Sequence, residues 1–148
     1  MRLFDTLRKV PVTIEADRTV AEAARLMDER AVGALVVTDH ERVVGLVTDR
    51  DLVVRGLARR VQADARVDGL MTTDPITLPA DADLRDALPL FREHAVRRIV
   101  VVDGDRAAGV VTVDDLLIDL VGDLGDLVRP VTGQVLFGHP EPGVPATA

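Results

Sequence analysis

The sequence predicts an α+β fold made of two pseudo-symmetric β-α-β-β-α repeats packed as one module, and three observations predict it. The stretch Gly45-Leu46-Val47-Thr48-Asp49-Arg50-Asp51 is written again 64 residues on (109 − 45 = 64), as Gly109-Val110-Val111-Thr112-Val113-Asp114-Asp115. Residues 11–52 and 75–116 align without a gap and share 18 identities in 42 positions, among them Pro11/Pro75, Thr13/Thr77, Asp17/Asp81, Ala31/Ala95 and Asp39/Asp103. Within each copy the apolar spacing alternates between strand and helix periods in the same order. Two copies at so long a period read as a pseudo-symmetric pair rather than a solenoid.

Taken in order, each element has a local cause. Val10–Ile14 and Ile76–Leu78 are short extended runs beside a proline, which limits their pairing. Thr19-Val20-Ala21-Glu22 is a capping box, and Ala21–Arg30 continues it as a helix with Ala23, Ala24, Leu26 and Met27 inward. The second copy has Asp83 and Asp86 at the two capping positions and Pro89 inside the helix, which should kink or shorten it. Ala34–Thr38 and Val43–Val47 are strands joined through Asp39-His40-Glu41-Arg42, a hairpin with a polar loop. Val100–Val102 and Ala107–Val111 repeat it around Asp103-Gly104-Asp105. A helix closes each copy, near Leu52–Arg59 and Leu116–Leu127. The repeats are therefore 7–60 and 71–128, joined by a polar linker at 61–70 and followed by a Pro-rich tail at 129–148. Four of the eight prolines fall in that tail; within it Val131–Phe137 is expected to be extended and to pack on a neighbour, and 139–148 to be disordered.

Composition excludes several classes of function. The formal charge is 18 − 25 = −7, which disfavours wholesale binding to nucleic acid or to an anionic membrane. Any polyanionic ligand must be met by local arginines or by helix N-termini. The absence of cysteine excludes disulfides, thiolate metal sites and a cysteine nucleophile. The first residues lack the apolar core of a signal peptide and no apolar run reaches 18 residues, so a soluble cytoplasmic protein is expected. No Ser/His/Asp grouping, metal-ligand cluster or phosphate-binding glycine loop is present, so an enzyme is not expected and no cofactor is required. His94 reads as a solvated helix-end residue, His40 lies in a hairpin loop and His139 in the tail; none suggests a metal site or a general base.

The duplicated heptapeptide carries the chemistry. Glycine permits close backbone approach, the aliphatic pair ends a buried strand, and Thr opens a helix with Asp in its first turn. Such a turn at a strand end suits an anion or a sugar hydroxyl. The same Thr48-x-x-Asp51 and Thr112-x-x-Asp115 also read as capping boxes with Asp in place of Glu, a purely structural use. Duplication in register, glycine included, favours a site used twice.

A β-α-β-β-α repeat whose second hairpin strand runs into Gly-h-h-Thr-x-x-Asp resembles the CBS domain, and two in tandem resemble a CBS pair, also called a Bateman module. The resemblance covers roughly residues 7–127. It implies a module that senses an adenine nucleotide (AMP, ADP or ATP) or S-adenosylmethionine and regulates a partner protein in trans. It implies that Asp51 and Asp115 bind ribose hydroxyls and that Thr48 and Thr112 contact ribose or phosphate. It also implies that adenine lies against the backbone around Thr13, Ile14, Thr77 and Leu78, and against Val32, Gly33, Ala34, Val96, Arg97 and Arg98. A carboxylate accepting both vicinal hydroxyls suits that role. The copies differ in charge. Copy one has Arg50 where copy two has Asp114, and copy two has Arg97-Arg98 where copy one has Gly33-Ala34. With clefts between the repeats, as the resemblance implies, one site draws on both Arg50 and Arg97, and copy two should be the poorer phosphate site. Arg97 and Arg98 also read as an exposed strand entrance.

The two closing helices set the last expectation. Leu116, Leu117, Ile118, Leu120 and Val121 cover nearly every face of their segment, and Leu52, Val53, Val54, Leu57 and Ala58 do the same after Asp51. A helix apolar almost all round needs cover from a second side. A homodimer supplies it with one self-complementary surface. The rival to ligand sensing is a structural or dimerisation module that binds no ligand.

Overall fold

The structure is a computed structural model and describes residues 10–137, with side-chain environments through Pro130. Copy one consists of β1 (Thr13–Glu15), α1 (Val20–Arg30), β2 (Ala34–Asp39), β3 (Arg42–Thr48) and α2 (Asp49–Asp51). The last runs on through a wide π turn, Leu52–Gly56, and a 3-10 turn, Leu57–Arg59. After a 3-10 turn at Val67–Gly69 and β4 (Thr72–Thr73), copy two has β5 (Thr77–Pro79) and a 3-10 turn at Leu84–Asp86. It continues with α3 (Ala87–His94), β6 (Arg98–Asp103), β7 (Arg106–Thr112) and α4 (Val113–Phe137). This is the expected α+β arrangement of two repeats. The sheet order is β1-β2-β3-β7-β6-β5, a palindrome about the β3–β7 contact, with β4 paired to β3.

Strand alternation explains why both hairpins are apolar without a break. Side chains two apart share a face. Leu35, Val37 and Val47 meet Ala23 and Met27 of α1, whereas Ile99, Val101 and Val111 meet Ala87 and Phe91 of α3. The residues between them turn the other way: Val36, Leu46 and Val100 form a third cluster shared by the two repeats. Each hairpin is thus buried on both faces, the condition under which strands read as continuous hydrophobic runs. Both hairpins bulge at the same place, between Val37 and Thr38 and between Val101 and Val102, beside the motif glycines Gly45 and Gly109. The loop of the first narrows to His40-Glu41, both at positive φ (49° and 68°). That turn is held by His40 N–H donating to Glu15 Oε2 (3.3 Å) and by the Arg106–Glu41 pair (2.6 Å) from the other repeat.

Several sequence expectations are met and several are corrected. The capping box of α1 is formed, Glu22 N–H donating to Thr19 Oγ1 (3.1 Å) and Thr19 N–H to Glu22 Oε2 (2.9 Å). That donated N–H, with nearby Arg18, holds the Glu22 carboxyl below its ordinary range. Pro89 shortens its helix: the first turn is 3-10, and α3 begins only at Ala87, so the proline falls in a first turn that needs no N–H. Ala24, expected inward, is exposed, because Ala23 and Met27 already occupy the face turned to the sheet. The segment after Leu52 is not a regular helix. Gly56 is buried, and a β-carbon there would stand 3.1 Å from Leu70 Cδ1, so the backbone widens to admit Leu70. Val131–Phe137, expected to be extended, is the last part of α4; Pro130 interrupts one backbone bond without ending the helix. The disorder expected at 139–148 lies outside the described residues.

The linker is more than a polar bridge. Val67 is fully buried and Leu70 is 4% exposed, and both pack into the core of copy one. Gly45 is the counterpart of that docking. A β-carbon at 45 would overlap Met71 Sδ and lie 3.0 Å from the Thr72 carbonyl oxygen, so only glycine lets the linker run against β3. Leu70→Ala is therefore expected to cost about 2–5 kcal/mol in urea denaturation, the scale of a core leucine. A loss within about 0.5 kcal/mol would place Leu70 on the surface instead.

Candidate functional site

Each duplicated motif closes on itself where a buried strand enters a helix. At the end of β3, Thr48 is still extended (φ −114°), and its N–H donates to Asp51 Oδ2 at 2.9 Å. Asp51 N–H donates back to Thr48 Oγ1 at 3.2 Å. At the end of β7 the same pair forms: Thr112 N–H to Asp115 Oδ2 (2.7 Å), Thr112 Oγ1–H to Asp115 Oδ2 (2.9 Å), and Asp115 N–H to Thr112 Oγ1 (3.2 Å). In both, one carboxylate oxygen, Oδ2, makes the cap, and Oδ1 takes no part in it. Asp49 N–H donates to the Gly33 carbonyl (3.0 Å) and Val113 N–H to the Arg97 carbonyl (3.2 Å). These bonds tie the start of each first hairpin strand to its motif turn, so residues 32–34 and 48–51 share one end of the sheet, as do 96–98 and 112–115.

The edge strands complete the two sites from their backbones. Val36 N–H donates to Val12 C=O (3.0 Å) and Ala16 N–H to Thr38 C=O (2.8 Å), so even-numbered residues of β1 face β2. Alternation then aims the Thr13 N–H and C=O away from β2. Val100 N–H on Ile76 C=O (3.0 Å) and Ala80 N–H on Val102 C=O (2.8 Å) give Thr77 the same outward aim. The side chains of Ile14 and Leu78 are core, 7% exposed each, so at those positions only the backbone is offered.

The copies differ around the turns. In copy one, Asp51 Oδ1 lies 3.6 Å from Arg55 Nε, and Arg55 Nη1 donates to the Leu70 and Met71 carbonyls (3.2 and 3.1 Å). Position 119, the equivalent of 55, is Asp. The arginine that copy two brings to copy one is Arg98, not Arg97. A β-carbon on Gly33 would stand 3.1 Å from Asp49 Oδ2 and 3.7 Å from an Arg98 terminal nitrogen. Arg50 and Arg97 are exposed, and among the described residues no hydrogen bond or ion pair draws their side chains together. Val32, Ala34 and Val96 are half-buried beside these turns, packed against the cores. Arg55 went unremarked in the sequence. Its signal was an Asp51/Arg55 pair at i,i+4.

A cleft of about 820 Å³ lies at the opposite ends of β1 and β2 and contains none of the motif residues. Its charged walls pair among themselves, Arg66 with Asp68 (2.7 Å) and Arg18 with Glu22 (3.6 Å). The Asp68 carboxylate holds the Arg66 guanidinium above its ordinary range. Among the described residues no group of three or more His, Asp or Glu is gathered as metal ligands, and no helix is long and apolar enough to cross a membrane.

Comparison with known proteins gives one answer. The CBS domain family model matches the chain twice, over residues 4–56 and 67–122. The CBS domain-containing protein YhcV of Bacillus subtilis is 31% identical over 115 residues, 78% of this chain and 82% of that protein. Among solved structures, the CBS domain protein PAE2072 of Pyrobaculum aerophilum, complexed with AMP, superposes with a TM-score of 0.73 at 27% identity, over 82% of this chain and 99% of that one. The CBS domain pair of protein MJ0100, in complex with 5′-methylthioadenosine and S-adenosyl-L-methionine, gives 0.72 at 26% identity, over 83% and 98%. With two matches in register on two copies of one fold, the chain belongs to the CBS domain family and carries a tandem CBS pair.

Proposed function

We propose that this CBS pair is a regulatory module that binds an adenosine-containing ligand at its Thr-x-x-Asp turns and acts on a partner protein in trans. The observation that carries the reading is that each cap uses only one oxygen of Asp51 and of Asp115, the second Asp51 oxygen lying 3.6 Å from Arg55 Nε, while the edge strand of each repeat turns the Thr13 or Thr77 backbone groups away from its neighbour. Ribose hydroxyls suit those oxygens, and the edge of adenine suits a backbone donor and acceptor beside the apolar Val32 and Val96. The complexes of PAE2072 with AMP and of MJ0100 with 5′-methylthioadenosine and S-adenosyl-L-methionine support the ligand class. The ligands under this reading are AMP, ADP, ATP or S-adenosylmethionine. The module itself is non-catalytic, requires no cofactor or metal and contacts neither nucleic acid nor membrane.

A homodimer accompanies this reading. Leu117, Ile118, Val121 and Leu124 of α4 are 52%, 72%, 65% and 60% exposed, and Val53 and Leu57 of copy one are 55% and 76% exposed. So broad an apolar surface calls for a partner, and a second copy covers both helices at once. The alternative, a dimerisation module without ligand, rests on the capping bonds, which give each motif a structural use.

Three measurements test this. In thermal melts, the bound ligand at about 100 times its dissociation constant should add roughly 2.7 kcal/mol; a melting temperature unmoved by AMP, ADP, ATP and S-adenosylmethionine at millimolar concentration would leave the structural alternative. Asp51→Ala and Asp115→Ala should each abolish binding at their own turn while costing the fold about 1 kcal/mol, the scale of a lost cap. Ligand titration of the two variants reads this out, and parent-like affinity at both turns would remove ribose from the carboxylates. In light scattering the parent should be a dimer and Leu117→Glu a folded monomer. A monomeric parent would overturn the dimer.

A further inference from the structure

We infer that two copies of this chain pair head to tail, the segment that closes copy one in each protomer docking on α4 of its partner. The inference rests on the homodimer reading and assigns the orientation which that reading leaves open.

The apolar residues do not choose an orientation. A two-fold dimer can set each closing helix on its own like, or set copy one of each protomer on copy two of the other. At the 64-residue spacing Val53, Val54 and Leu57 correspond to Leu117, Ile118 and Val121, and all six are between 44% and 76% exposed. Either docking therefore buries much the same aliphatic surface.

The charges do choose. Residues 49–62 hold four arginines (Arg50, Arg55, Arg59 and Arg60) against Asp49 and Asp51, whereas residues 113–126 hold five aspartates and no basic residue. Position by position, Arg50, Arg55 and Arg59 correspond to Asp114, Asp119 and Asp123. Two of these charges are engaged within the protomer, Arg55 on the linker carbonyls and Asp123 on Arg85. The side chains of Arg50, Arg59 and Arg60, and those of Asp114, Asp119 and Asp126, take no hydrogen bond or ion pair among the described residues. All but the half-buried Asp119 are exposed. Arg50 and Asp114 each stand three and four residues before the exposed apolar pair of their segment, the spacing of neighbours on one helix face. Like on like would bring arginines to arginines at one contact and aspartates to aspartates at the other. Juxtaposed like charges are what interfaces use to reject a wrong docking. The crossed docking sets an arginine-bearing segment on an aspartate-bearing one, twice in each dimer.

The test measures orientation directly, on dimers first verified by light scattering. The chain has no cysteine, so Ala58→Cys and its equivalent Gly122→Cys each carry one nitroxide label per protomer. Both positions are exposed, and a β-carbon at 122 would meet nothing within 4 Å. Pulsed electron-spin resonance on a mixture of the two labelled chains should give a shorter label-to-label distance than either chain gives alone. Shorter distances in the chains measured separately would overturn the orientation and leave the dimer standing. A second measurement reads the cause without labels. The chain carrying Asp114→Asn, Asp119→Asn and Asp126→Asn should dimerise about tenfold more weakly in sedimentation at low salt, the scale of several exposed ion pairs. In a like-on-like dimer the same change relieves repulsion and tightens the pair, as would the lower net charge by itself. A dimer unchanged or tightened would therefore overturn the charge complementarity. A monomeric parent would remove the homodimer reading, and the orientation with it.

Discussion

Val36, Leu46 and Val100 meet between the repeats, and the rest of the molecule depends on that contact. Each hairpin buries one face under its own helices; the other face is just as apolar and has no helix to cover it. Only the other hairpin can. The backbone contributes little to the join, since β3 and β7 are paired at Arg42 and Arg106 alone. Burial of side chains, with the Val43 N–H to Asp105 C=O bond (2.9 Å) and the Arg106–Glu41 pair at the rim, fixes how the copies face each other. That arrangement brings Arg98 of one copy to Gly33 of the other.

Duplication gave the chain two equal scaffolds, and small substitutions made them unequal where it matters. Gly56 admits Leu70 and widens the first motif helix into a π turn; its equivalent, Leu120, lies in an unbroken α-helix. Arg55 ties the motif carboxylate of copy one to the linker carbonyls, whereas Asp119 stands at that place in copy two. The linker thereby belongs to the first repeat structurally: Val67 and Leu70 fill its core, β4 extends its sheet, and Arg55 holds the loop between them. An event at the first turn is mechanically joined to the linker in a way that an event at the second is not.

The fold was largely legible, for identifiable reasons. Residues 11–52 and 75–116 each repeat an order of periods that only one arrangement of strands and helix satisfies, and two copies confirm each other's boundaries. The errors fell where local pattern and packing disagree. Ala24 looks like a helix-face residue by spacing, but the face is set by where the sheet lies. Val67 and Leu70 sit among Asp, Arg and Gly and read as linker, because nothing local says that a core lacks two side chains. Val131–Phe137 follows a proline and reads as extended, yet Pro130 costs a helix one backbone bond and does not end α4.

The sequence by itself determined the duplicated fold, the two Thr-x-x-Asp turns and their capping bonds, because these depend on residues three apart and on periods within a strand or helix. It also determined that the two copies differ in charge. What only the tertiary structure decided is which charges meet. Arg97 and Arg98 are neighbours in the chain, and which of them reaches the other repeat depends on where β6 begins and on the packing of Val100 with Val36 and Leu46. Asp49, Gly33 and Arg98 come from three segments in two repeats. No spacing in the sequence links them, and they come together because the apolar contact of Val36 and Leu46 with Val100 holds the two repeats against each other.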